Sequence, residues 1–75
     1  MTEGEVERLL GELCVNLGFC LSPEAYDQLA ESPPLAAEDF ARRVFEAEGL
    51  DFDTYDRPSV RAAVVATVAR HMTAA

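Results

Sequence analysis

The sequence contains no lysine. All six of its basic residues are arginines, and fourteen acidic residues oppose them for a net charge of −8. Such a charge repels phosphate backbones and disfavours ordinary DNA or RNA binding, while it favours solubility and attracts basic protein surfaces. Long hydrophobic runs are also missing. The uncharged segment "AAVVATVA" at 62–69 falls far short of the roughly 20 apolar residues that a membrane span needs. Cysteine is scarce: Cys14 and Cys20 are separated by five residues, against the two to four usual in zinc or redox pairs. His71 offers a third ligand, but there is no fourth cysteine or histidine, so neither a metal centre nor a cofactor site is expected. The opening "MTEGEVER" is acidic where a secretion signal is basic. The sequence therefore predicts a cytoplasmic chain with both cysteines as reduced thiols, Cys14 serving as a small core residue. Twelve alanines, with arginine as the only strong base, point to a GC-rich coding sequence. "FARRVFEAEGLD" has the look of a short bacterial protein, which supplies no activity.

Also absent are strand alternation, internal repeats, low-complexity tracts and long linkers. What is present is helical periodicity. At 75 residues the chain has room for one core, and the pattern predicts a single all-α domain, a compact bundle of four short helices at about 3–17, 23–31, 36–48 and 57–72. Val6, Leu9, Leu10, Leu13, Cys14 and Leu17 form one stripe of the first helix. Thr2 and Glu5 make a capping box ahead of it, and Gly18 stops it. In the second, Ser22 is the N-cap, Pro23 takes the first helical position, and Leu21 with Tyr26 makes a hydrophobic staple. Pro33 and Pro34 end it. Ala37, Phe40, Val44 and Ala47 are the expected inner face of the third, with Ala41 and Phe45 widening it to one side. Glu38–Arg42 and Asp39–Arg43 are i,i+4 pairs, and Gly49 closes the helix. The fourth carries Val60, Val64, Val68 and Met72 in one row and Val65 with Ala69 in the next. Being apolar nearly all round, it is expected to be central to the monomer or shared across a dimer.

"EGLDFDTYDRPS", residues 48–59, is the stretch most like a motif. Read as a calcium loop from Asp51, it fits at the first two ligand positions. It then has Tyr55 at position 5, Asp56 where Gly belongs at position 6, and Ala62 in place of the bidentate Glu at position 12. The loop is better read as a connection in which Asp53 and Asp56 cap the turn and the start of the fourth helix, Pro58 sits in its first turn, and Phe52 packs inward. Ser22 stands where acyl carrier proteins, also small, acidic and four-helical, bear their prosthetic group. Those proteins carry Asp-Ser-Leu after a long first loop, whereas this chain has "LSP" after a short one, so Ser22 is taken as a cap. "LGF" at 17–19 resembles the Met-Gly-Phe loop of ubiquitin-associated domains over three residues. Those are three-helix domains, and none of their binding residues is carried over.

Catalysis is not expected. No Ser, Cys or Asp stands at a triad spacing from His71. Acidic pairs such as Glu46/Glu48 and Asp51/Asp53 left in water keep ordinary acidity and make poor general acids. The sequence predicts a helical protein-interaction module without enzymatic activity, binding a basic protein surface. Arg42, Arg43, Phe45, Asp51, Asp53 and Tyr55 are its candidate contact residues. One alternative is a self-associating homodimer through the fourth helix. Another is a small regulatory fold with a helix-turn-helix, for which only Arg42 and Arg43 offer adjacent basic side chains, flanked by acids.

Overall fold

A computed structural model describes residues 3–73, apart from the side chain of Thr73. It contains four α-helices: α1 (Glu3–Leu17), α2 (Pro23–Glu31), α3 (Ala37–Ala47) and α4 (Pro58–Thr73). Expected and observed ends agree within one residue, the ordinary fraying margin of helix termini. Thr2, half of the expected capping box, lies outside the described residues.

The ends follow from local chemistry. The hydroxyl of Ser22 accepts from the Ala25 backbone N at 3.3 Å, with Pro23 next in line. This satisfies one of the orphan donors of α2. Gly18 and Gly49 both take positive φ, 78° and 75°, a conformation that costs a side-chain-bearing residue about 1–2 kcal/mol. Gly49 closes α3 in a Schellman turn, with Leu50 N donating to Phe45 O at 2.9 Å and Gly49 N to Glu46 O at 2.9 Å. At Gly18 the simpler left-handed cap forms, Gly18 N donating to Cys14 O at 3.1 Å.

α4 packs on both α3 and α1, and α2 packs on α1. The core takes Val6, Leu9, Leu10 and Leu13 from α1, Leu29 from α2, Phe40, Ala41, Val44 and Phe45 from α3, and Val64 and Val68 from α4. Phe19 and Phe52 join from the two connections that follow the glycines. Each large side chain so buried contributes about 1.5–3 kcal/mol. The leucine stripe of α1 and the Val64–Val68 row stand as read, and α4 packs on two helices while its Ala62 and Ala66 side stays exposed.

The inner face of α3 needs correction. Ala47 is exposed, while Ala41 and Phe45 are fully buried. The true stripe runs 37, 40, 41, 44, 45, and its next position is Glu48. That rotation explains why one Glu48 carboxylate oxygen is buried without a hydrogen-bond partner among the described residues. Of the two expected ion pairs along α3, Glu38–Arg42 forms at 3.5 Å, whereas Asp39 and Arg43 do not pair among the described residues.

The cysteines also need correction. Cys14 and Cys20 are joined in a disulfide rather than held as two thiols, with Cα atoms 4.3 Å apart. The left-handed Gly18 folds the chain back on the end of α1 and brings the two together. Cys14 is half-buried and Cys20 exposed, so neither belongs to the core.

Candidate functional site

Around the connection between α3 and α4 stand five of the six residues expected to contact a partner, and the geometry gives them other work. Phe52 inserts beneath the loop and is 6% exposed. Phe45 receives it edge-on, centroids 5.2 Å apart, and takes Tyr55 the same way at 4.9 Å and Phe19 in a tilted stack at 5.0 Å. Phe45 has no exposed surface. It is the hub of an aromatic core and not a contact residue, because the stripe of α3 turns it inward.

Two arginines fasten the loop over that hub. Arg42 donates from Nη1 to Asp53 Oδ2 at 2.7 Å and pairs with Glu38 one turn back. Arg61, in the first turns of α4, donates from Nη1 to the carbonyl oxygens of Phe52 at 3.1 Å and Asp53 at 3.2 Å. Both guanidiniums lie over the Phe52 ring, their carbons 4.9 and 5.6 Å from its centroid, within cation–π range. The hydrogen bond to Arg42 holds the Asp53 carboxyl below its usual range and raises the guanidinium of Arg42 above its own.

The expected capping by Asp53 and Asp56 is therefore redistributed. Asp51 closes the turn, its Oδ1 accepting from Asp53 N at 3.0 Å. Asp53 binds Arg42, and Asp56 is exposed. The start of α4 is organised by backbone, with Val60 N and Arg61 N both donating to Arg57 O. Asp51 and Asp53, the two calcium-loop matches, are turned to hydrogen bonds within the protein.

Arg43 stands apart from this cluster. It lines a different surface, a cleft of about 240 Å³ shared with Ala25, Gln28, Leu29, Glu46 and Ala47 between α2 and α3. Arg61 was not expected as a site residue. Its signal was that it is the lone charge in α4 between Pro58 and Arg70, where an apolar helix has little other reason to carry one.

At the far end of α4, Arg70 and His71 both approach Glu12 of α1, His71 Nε2 lying 3.6 Å from Glu12 Oε1. His71 is thus an interhelical contact. On α2, burial pushes the Tyr26 hydroxyl above its usual value, assisted by the nearby carboxylates of Glu7, Glu3 and Asp27.

Outside the clamp, a shallow groove of about 720 Å³ opens between the loop and α4. Glu38, Phe52, Asp53, Pro58 and Arg61 line it at one side, with Ala62, Val65 and Ala66 of α4. Ala62 and Ala66 are exposed and one turn apart. Glu38 and Asp53 are each 67% exposed at the side chain, and both pair with Arg42. No described helix is long and apolar enough to cross a membrane.

Compared with models of protein families, with curated proteins and with solved structures, the chain matches none.

Proposed function

We propose that this chain is a non-catalytic protein-interaction module, and that its contact surface is the groove beside α4. One observation carries the reading. α4 already buries Val64 and Val68 against its neighbours, yet its outward side is apolar as well, at Ala62 and Ala66 with Val65 half-buried between them. Such a helix carries more apolar surface than one monomer core uses. The net charge of −8 favours a basic partner surface. Four of the six candidate contact residues, Arg42, Asp51, Asp53 and Tyr55, then act as the scaffold that holds this surface.

The small side chains of Ala62 and Ala66 support a second reading, in which two copies of α4 approach closely as a homodimer. A nucleic-acid reading is less well supported, since Arg42, Arg61 and Arg70 are all engaged with the protein's own groups.

The test is the solution mass by light scattering on a sizing column, over a wide concentration range at low and high salt, for the native chain and Ala66→Glu. The exposed position lets the variant fold. A native monomer throughout, which binds a basic test protein such as a histone more weakly as salt rises and loses that binding in Ala66→Glu, supports the module. A salt-insensitive dimer that Ala66→Glu dissociates replaces it with the homodimer. A monomer whose binding is untouched by Ala66→Glu removes the groove from consideration.

A further inference from the structure

The Cys14–Cys20 disulfide closes a turn that is already held by other means. Gly18 N donates to Cys14 O and Phe19 N to Leu13 O, both at 3.1 Å. Phe19 is 5% exposed and stacked on Phe45. Those fasteners are made by atoms other than the two sulfurs, so the turn is expected to stay in place when the bond is open. The two sulfurs are also unequal. Cys20 is exposed in the connection ahead of α2, where an external disulfide can reach it. Cys14 is half-buried in the last turn of α1, which shields it from direct attack.

We propose that this pair is a reversible thiol–disulfide exchange site, in which Cys20 is the sulfur that reacts with external low-molecular-weight disulfides and Cys14 is the resolving thiol. In the oxidising direction the Cys20 thiol loses its proton to solvent, and the thiolate attacks one sulfur of a disulfide RSSR. A Cys20–S–R bond forms, and RS⁻ leaves and takes a proton from solvent. The Cys14 thiol then loses its proton to solvent, and its sulfur attacks Cys20 Sγ. The Cys14–Cys20 bond forms, and the second RS⁻ leaves and takes a proton from solvent. The protein gives up two electrons and two protons, and RSSR becomes two RSH. Reduction by a thiol runs the same steps backwards, entering at the exposed sulfur. The exchange site lies on α1 and its turn, and it operates whether or not the groove beside α4 binds a partner.

The probe is glutathione disulfide added to the reduced, refolded protein, with the products followed by intact mass and peptide mapping and the fold by circular dichroism. Reduced native protein is expected to keep its helical signal and to return to the intramolecular disulfide. Cys14→Ser is expected to stop at a mixed disulfide on Cys20, while Cys20→Ser reacts at least about tenfold more slowly. The proposal is overturned if the two variants react at equal rates, or if the mixed disulfide of the native protein sits on Cys14. Loss of the helical signal on reduction also overturns it, because the bond is then a structural requirement. Retention of helix in Cys14→Ser separates chemistry from unfolding.

Discussion

The two glycine-capped turns of this molecule share one design and differ in the fastener. After α1 and again after α3, a glycine with positive φ stops the helix, and soon afterwards a phenylalanine enters the core and meets Phe45. In the first turn the closure is covalent, through Cys14 and Cys20. In the second it is electrostatic, through Arg42, Arg61 and Asp53. The first fastener answers to redox chemistry and ignores salt; the second answers to salt and acid and ignores thiols. Both connections meet at one residue, Phe45, although their latches use different side chains.

The largest expected effect removes the hub and so ends the comparison. Phe45→Ala should cost about 3–5 kcal/mol, comparable with the whole stability of a domain this small, and the thermal transition seen by circular dichroism should vanish or fall near room temperature. Next is the covalent latch. Replacing both cysteines by serine should destabilise the chain by about 2 kcal/mol in a urea titration, from the added freedom of the unfolded loop. A native-like transition unchanged by dithiothreitol would show that the latch carries no stability.

The glycines sharpen the comparison at smaller scale. Gly18→Ala and Gly49→Ala meet no atom within 4 Å, so each should lose only the backbone term, about 1–2 kcal/mol. Once the native disulfide is reduced, the Gly18→Ala loss should stay about the same in urea titrations, since its backbone term does not depend on the sulfurs. The smallest effect is on the charged latch, and its signature is in pH. The folded Asp53 carboxyl is held below its unfolded value. Its contribution is therefore present above the ordinary carboxylate range and is lost as pH falls through the lowered value. Asp53→Asn should flatten that part of the acid limb and reduce the salt dependence of the midpoint. Because the pair is well exposed, the shift at neutral pH should be small.

Much of the fold was legible because helix signals are local. The stripes, Ser22, Pro23 and the two glycines located every helix to within a residue. The rotation of α3 was partly legible: Ala37, Phe40, Ala41, Val44 and Phe45 follow the i, i+3, i+4, i+7, i+8 spacing, and Ala47 lies off that stripe, so placing it on the inner face misread the pattern. The site was legible as a place and not as a set of roles. Asp51, Asp53, Tyr55 and Arg42 do come together, but a carboxylate facing solvent and one facing a guanidinium eleven positions away read identically in one dimension. The disulfide depended on the handedness of one glycine, which sequence spacing does not express.

The position of α4 also sets an order of assembly. Glu12 and Arg70, 58 positions apart, meet only after the fourth helix has been synthesised. Until then, the apolar sides of α1 and α3 lack the Val64–Val68 row that covers them. A chain ending before Pro58 would leave those sides uncovered, and the complete core can close only once the fourth helix is in place.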